Sequence, residues 1–246
     1  MKKILICTGG TGGHIFPAIS LAEYLEKKNF NVDFITDYRA KKFINNINLK
    51  KINFINVKTP TGKKGLGLIY SIFLIFISFL YSIFFLLLKK PQLIIGSGGY
   101  VSFPILLAAR LLKKKFVIYE TNSVVGRVNK FFLNSSTKIF TGYPLKNLNI
   151  SNDKVTFVGQ LIREQIYLAK ENNYFKKDDN FDFTLLIIGG SQGAEIFSKT
   201  LPQSLNKLFN LNKKIRIFHQ VGNKEQELKI DFSYKNNPNV TIFNFE

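Results

Sequence analysis

Two glycine-rich turns in this 246-residue chain have the make-up of phosphate-binding loops. The first is Gly9-Gly10-Thr11-Gly12-Gly13-His14, followed by Ile15-Phe16-Pro17; the second is Gly189-Gly190-Ser191-Gln192-Gly193-Ala194. Each ends a short apolar run and opens a helical pattern. Glycine permits positive φ and lets a ligand approach the backbone. The helix behind such a turn offers free N–H groups and the positive end of its dipole, where a phosphate is stabilised. One turn of this kind is a weak signal, since a tight turn with no ligand reads the same way. Two of them, each opening a Rossmann-like unit, point to a ligand held in a cleft between domains. His14 stands at the mouth of the first turn. That position suits proton transfer or phosphate contact, against the plainer reading of a solvent-facing polar residue. His219, inside Ile217-Phe218-His219-Gln220, reads as a strand-end structural histidine.

A nicotinamide dinucleotide-binding Rossmann protein is the rival reading. Its G-x-G-x-x-G fingerprint needs a third glycine, and Gly10-Thr11-Gly12-Gly13-His14-Ile15 places isoleucine there. Asp37, after the second apolar run, keeps the rival open, because an acid there can bind a ribose. One cysteine, Cys7, excludes a disulfide framework and a cysteine-based zinc site; two histidines argue against a multi-histidine metal. Neither a metal nor a cofactor is expected. Lys and Arg number 35 against 16 Asp and Glu, a net charge of +19. Such a charge asks for an anionic partner. Arginine appears only at Arg39, Arg110, Arg127, Arg163 and Arg216, and no nucleic-acid-binding motif spacing is present. Nucleic acid is therefore not an expected partner. Most of the charge reads as a compositional drift towards lysine, with any functional part local.

The elements that must position these residues alternate. Apolar, β-branched runs at 3–8, 32–36, 52–57, 93–96, 116–120, 138–141 and 155–159 predict strands. Helical patterns at 15–28, 39–45, 66–88, 103–112 and 127–134 separate them. That alternation predicts an α/β fold with a parallel sheet covered on both faces. The polar stretch 171–182 reads as a linker or exposed loop, after which strand and helix resume at 183–188, 194–210, 214–221 and 239–245. The expected organisation is a domain over 1–160, a linker region over 161–182 and an incomplete second domain over 183–246. Glu246 falls directly behind an apolar strand, so the chain reads as a fragment. The start, Met1-Lys2-Lys3 with an apolar run ending at Cys7, is too short for a signal peptide and predicts a cytoplasmic protein.

Leu66 to Leu88 is 23 residues without a charge, about 35 Å as a helix and long enough to span a bilayer. Spanning conflicts with the strands on either side, which belong to one sheet and need a crossover that returns to it. Gly67, Ser71, Ser78 and Ser82 fall on one stripe of the helical wheel. That stripe is expected to pack on the sheet while the Ile, Leu and Phe faces meet an anionic membrane surface. Lys63, Lys64, Lys89 and Lys90 bracket the helix and would hold headgroups.

Taken together, the residues resemble the MurG family. The resemblance rests on Gly9 to His14 with Pro17, Gly98-Gly99-Tyr100-Val101-Ser102, Glu120 with Asn122, Val158-Gly159 with Arg163, Gly189 to Ala194 and His219-Gln220, in the family's order along the whole chain. It implies a GT-B fold, two Rossmann-like domains around a cleft. It also implies metal-independent, inverting transfer of N-acetylglucosamine from UDP-N-acetylglucosamine to an undecaprenyl-diphosphate-linked muramyl-peptide. The setting implied is the cytoplasmic face of the inner membrane, with the protein bound peripherally. In the same way the resemblance makes His14 the general base. It places Thr11, Gly12, Gly13, Asn122, Arg163, Ser191, Gln192 and Phe243 at the donor, and Gly12, Gly13, Gly98, Gly99 and Tyr100 at the acceptor diphosphate. Domain 1–160 would then bind acceptor and membrane, and 183–246 would begin the UDP-sugar domain. Two runs depart from the family pattern. Tyr119-Glu120-Thr121-Asn122 stands where His-Glu-Gln-Asn is usual, and Gly159-Gln160-Leu161 where Gly-Asn-Pro is usual. The second removes a proline-fixed turn and predicts a changed loop beside Arg163. The family's acidic and glutamine contacts to the donor sugar would lie past Glu246, so these 246 residues alone are expected to be inactive.

Overall fold

The computed structural model describes residues 1–44, 49–145, 152–171, 180–190, 193–211 and 213–244. The chain divides into two compact units, Met1–Leu168 and Ala169–Glu246.

The first unit is built on seven parallel strands: β1 Lys3–Cys7, β2 Asn31–Thr36, β3 Ile52–Phe54, β4 Leu93–Gly96, β5 Phe116–Glu120, β6 Lys138–Thr141 and β7 Val155–Phe157. Its helices are α1 Gly12–Lys27, α2 Lys41–Ile44, α3 Gly65–Lys89, α4 Ser102–Leu111, α5 Arg127–Phe132 and α6 Glu164–Glu171, the last running across the unit boundary. The strands lie in the order β3-β2-β1-β4-β5-β6-β7. The chain therefore moves outward from β1 to β3, then returns through α3 to the other side of β1. Ile4 pairs with Val32 on one side and with Leu93 on the other. That reversal is a topological switch point, where the ends of β1 and β4 diverge and leave room for a ligand.

The apolar runs form the sheet because both faces are covered. Leu5, Ile35, Ile94 and Ile118 sit in one core with Ile105 and Leu106 of α4 and Phe85 and Leu86 of α3. Each is at most 6% exposed. The helix α3 packs against α4, and its serines Ser71, Ser78 and Ser82 are buried. Ser82 Oγ donates to the Ser78 carbonyl and Ser78 Oγ to the Asn56 carbonyl. Gly67, at the near end of the expected stripe, is exposed. The outer face carries Ile69, Phe73, Phe76, Leu80, Phe84 and Leu88, each 46–63% exposed, while Ile75, Phe79 and Ile83 turn inward against the core.

The second unit holds β8 Phe183–Ile187, α7 Glu195–Asn210, β9 Ile215–Val221, α8 Lys224–Leu228, α9 Phe232–Lys235 and β10 Val240–Asn244. Its three strands are parallel in the order β10-β9-β8. Strand β9 is central and carries the buried side chains Ile215, Ile217 and Val221.

Candidate active site

The first glycine turn sits at the switch point, at the end of β1. It interlocks with the turn that ends β4. A Cβ on Gly99 would lie 2.3 Å from the Gly9 carbonyl oxygen, and one on Gly9 would lie 2.3 Å from Val101 Cγ2. Gly98 and Gly99 also hold φ of +86° and +76°, a region that L side chains rarely adopt. Glycine is thus required where two backbones touch. Ser102 Oγ ties the pair, within 2.9 Å of the Cys7 carbonyl and 2.8 Å of the Gly98 carbonyl.

This contact brings the β4 turn against His14. A Cβ on Gly98 would lie 3.0 Å from the imidazole Nδ1 and Cε1. His14 occupies the first turn of α1, with its N–H on the Thr11 carbonyl at 3.1 Å. Its ring Nδ1 lies 3.0 Å from Thr121 Oγ1, at the end of β5. Burial pulls its pKa below the ordinary histidine value, opposed by the Glu120 carboxylate and a hydrogen bond to the Ser97 backbone. A half-buried imidazole with a lowered pKa is neutral near pH 7, the form able to accept a proton.

Glu120 is wholly buried and acts as a hub. Its Oε1 accepts from the Asn122 backbone N–H at 2.9 Å and from Asn122 Nδ2 at 3.1 Å. Its Oε2 accepts from the Gly126 N–H at 2.9 Å and from Asn129 Nδ2 at 2.8 Å. The carboxylate thus fixes the loop between β5 and α5, and with it the exposed side of Asn122. Tyr100, at the β4 turn, shares its hydroxyl with Thr61 Oγ1, which also accepts from Arg127 at 3.1 Å.

The loop expected to change has a substitute for the lost proline. Gly159 takes φ of +79°. The Tyr119 hydroxyl donates to the Gly159 carbonyl and accepts from the Leu161 N–H, both at 3.1 Å. Leucine supplies an N–H that proline lacks, and tyrosine occupies it. Gln160 Nε2 donates to the Thr121 carbonyl at 2.6 Å. Arg163 follows, its guanidinium 4.5 Å from the Phe16 ring centroid on α1, a cation–π geometry.

In the second unit Gly190 and Gly193 take φ of +72° and +66°. The Gln220 amide clamps this turn: its Nε2 donates to the Gly190 carbonyl at 2.9 Å, and its Oε1 accepts from the Gly189 N–H at 3.1 Å. Ser191 and Gln192 lie outside the described residues. His219 is fully buried, with Nδ1 3.1 Å from the Tyr234 hydroxyl, and burial lowers its pKa. Phe243 lies on β10 and is 38% exposed.

The first unit brings Thr11, Gly12, Gly13, His14, Gly98, Gly99, Tyr100 and Asn122 to the carboxyl ends of adjacent strands. Asp37, the ribose candidate of the rival reading, is 3% exposed and committed elsewhere. It accepts from the Arg39 N–H at 2.9 Å and from Arg39 Nε at 3.0 Å. Among the described residues no three His, Cys, Asp or Glu side chains gather as a metal site. Sequence reasoning missed Ser97, Thr121, Asn129 and Gln160. Their signal is spatial: Thr121 lies 107 residues from His14 along the chain.

Residues 4–141 match the glycosyltransferase family 28 N-terminal domain, and residues 184–246 match the family 28 C-terminal domain. A Rickettsia felis protein is 35% identical over 265 residues, covering 100% of this chain and 69% of its own length. It is named UDP-N-acetylglucosamine--N-acetylmuramyl-(pentapeptide) pyrophosphoryl-undecaprenol N-acetylglucosamine transferase. A Pelagibacter ubique protein of the same name is 37% identical over 252 residues, covering 99% of this chain and 67% of its own length. The crystal structure of Acinetobacter baumannii MurG superposes with a TM-score of 0.69 at 23% identity, covering 100% of this chain and 69% of that one. The UDP-GlcNAc 2-epimerase of Methanocaldococcus jannaschii superposes at 0.63 with 17% identity, covering 99% and 73%. These structural likenesses give the fold, an α/β architecture of GT-B type with parallel sheets. On the family-28 domain matches and the curated relatives, the chain belongs to glycosyltransferase family 28 and, within it, to the MurG family.

Proposed function

We propose that this protein transfers N-acetylglucosamine from UDP-N-acetylglucosamine to an undecaprenyl-diphosphate-linked N-acetylmuramyl-pentapeptide, the step that makes lipid II from lipid I in peptidoglycan synthesis. The relatives' printed names describe this reaction. The observation that carries it is a neutral, half-buried histidine at a switch point, flanked by two interlocked glycine turns. His14 takes the proton from the acceptor hydroxyl. That oxygen forms a bond to the anomeric carbon, the bond from that carbon to the diphosphate breaks, and UDP leaves with the electron pair. Attack opposite the leaving group inverts the centre. Gly12, Gly13, Gly98, Gly99 and Tyr100 would meet the acceptor diphosphate. Thr11, Asn122 and Arg163 would meet the donor, together with Ser191, Gln192 and Phe243 of the second unit. Growing charge on UDP would be stabilised by backbone N–H dipoles.

Membrane contact belongs to the same proposal. The helix α3, 25 residues long with an 18-residue stretch of mean hydropathy 2.6, is the one described helix long and apolar enough to cross a membrane. Both its ends rejoin strands of one sheet. We therefore place α3 in the plane of the inner membrane's cytoplasmic surface, its outer face among headgroups and its lysines against anionic lipid.

The test is label transfer from UDP-[14C]-N-acetylglucosamine into butanol-soluble lipid, using the product of the gene that encodes these residues. Transfer that is lost in His14→Ala is expected. Absence of transfer, with tight NAD binding instead, would overturn the proposal.

A further inference from the structure

The direct partners of the His14 ring are neutral, the Thr121 hydroxyl and the Ser97 backbone, and not a carboxylate. All four donors around Glu120 come from Asn122, Gly126 and Asn129. The carboxylate therefore acts on His14 through space, and it is the charged group that bears on the ring. Among the side chains described, Thr121 Oγ1 pairs with Nδ1, at 3.0 Å, and the Ser97 backbone also bears on the ring. Thr121 is 5% exposed, so bulk water does not compete for that bond. Its backbone is held on both sides. Glu120 precedes it in the four-donor hub, and Gln160 Nε2 grips its carbonyl at 2.6 Å. Gln160 is itself placed by the turn that Tyr119 closes onto Gly159 and Leu161. On its other side the ring meets the backbone of Gly98, where no Cβ intrudes.

We infer that Thr121 is a positioning residue for His14: its hydroxyl oxygen accepts from Nδ1–H, adds to the Ser97 backbone in holding the ring, and favours the tautomer that leaves the Nε2 lone pair as the proton acceptor, with Gln160 holding Thr121 in place. The role of a hydroxyl here is orientation, since it brings no charge to raise the basicity of the ring. A carboxylate partner would hold the imidazolium and raise its pKa; a hydroxyl leaves the imidazole neutral and still fixes its tautomer. This inference rests on the proposed function of His14 as the base.

The test uses the product of the gene that encodes these residues, which hold two histidines. The protein is labelled with ring-15N histidine, and His14→Gln assigns the signals. In the wild-type protein, above the His14 titration, Nδ1 is expected to carry the proton. Thr121→Val keeps the shape and removes the hydroxyl. It is expected to shift the ring to a tautomer mixture and to lower kcat about 10- to 100-fold, a share of the 10²–10⁴ typical of general-base catalysis. The KM for UDP-N-acetylglucosamine is expected to stay unchanged. Thr121→Ser restores both tautomer and rate, and Gln160→Ala reproduces part of the tautomer shift. An unprotonated Nδ1 in the wild-type protein overturns the inference, as do ring signals unchanged in Thr121→Val. Failure of the underlying reading looks different: His14→Ala would retain transfer while the tautomer still followed residue 121.

Discussion

Replacing Glu120 by glutamine removes a charge while keeping the shape. The carboxylate presents two acceptor oxygens to four N–H donors at 2.8–3.1 Å and is fully buried. An amide has one acceptor oxygen and one NH2 group, so in either orientation the NH2 faces two donors. The favoured orientation turns its oxygen to Gly126 and Asn129, because Asn122 is exposed and its side chain can turn to water. The Asn122 backbone N–H cannot follow. Hydrogen bonds to a charged group contribute about 1.5–3 kcal/mol and neutral ones about 0.5–1.5. Two bonds weaken by about 1 kcal/mol each and two are lost, one of them recovered in water. Relief of charge desolvation offsets part of this. The expected destabilisation of the first unit is about 3–5 kcal/mol. At about 2 kcal/mol/M in urea, its midpoint falls by about 2 M with an unchanged slope. The chain has no tryptophan and 10 tyrosines, so far-ultraviolet circular dichroism with tyrosine fluorescence follows the transition. Glu23→Gln, a partly buried acid of α1 outside the hub, serves as control. A midpoint drop below about 0.5 M would refute the hub. The His14 pKa supplies a second reading: without the carboxylate charge it falls further.

Other outcomes follow from burial and exposure. Phe73, Phe76 and Leu80, each about half exposed on α3, can be changed to serine together without touching the inward Phe79; co-sedimentation with phosphatidylglycerol vesicles should fall at least tenfold while the melting temperature holds, and unchanged binding removes α3 from the membrane contact. Cys7 is fully buried and its thiol is pushed up to about 12 by desolvation; it should resist dithionitrobenzoate at pH 8 and react at the rate of unfolding, whereas rapid native labelling would contradict the packing of β1. His14 and His219 have folded pKa values below the ordinary 6.5 because they are desolvated. Between those values and 6.5 the unfolded chain binds more protons, so stability is full above about pH 6.5 and falls as pH drops through the window, by at most about 1.4 kcal/mol per pH unit for each group. Urea midpoints at pH 7.5 and 5.5 check this, and His219→Gln should flatten the slope of the second unit; a flat wild-type profile speaks against both buried rings.

Much of the fold was legible because its strands are buried on both faces. Ile4 to Cys7 and Phe116 to Tyr119 read as continuous apolar runs for that reason. The serine stripe of α3 was legible as a helical period, except at Gly67, which stays exposed. Helix α6 falls within 161–182, read as a linker region, since its apolar residues Ile166, Tyr167 and Leu168 form one contiguous block with no helical period. The short α8 carried an unused local signal. Asn223 caps it by accepting from the Gln226 N–H at 2.8 Å, the spacing of a capping box. At the site, His14 and the glycines could be read because a turn needs them locally. Thr121 and Gln160 could not, because their partners arrive from other strands: Gln160 meets Thr121 across 39 residues. No periodicity records such a meeting.

The way α3 is tethered bears on how the protein would sense lipid. A spanning helix answers bilayer thickness by tilting, at a cost that grows with each ångström of mismatch. Here Lys89 at the end of α3 is followed within four residues by β4, and Gly65 is preceded by the segment leaving β3. The link to β4 is short, a ten-residue segment joins β3 to the other end, and α4 packs against the helix. The short link and the packing restrain its tilt against the strands that carry His14. On the proposed membrane placement, the sheet works as a ruler that sets the height of His14 above the headgroups. Turnover should then respond to lipid charge and stay indifferent to acyl-chain length.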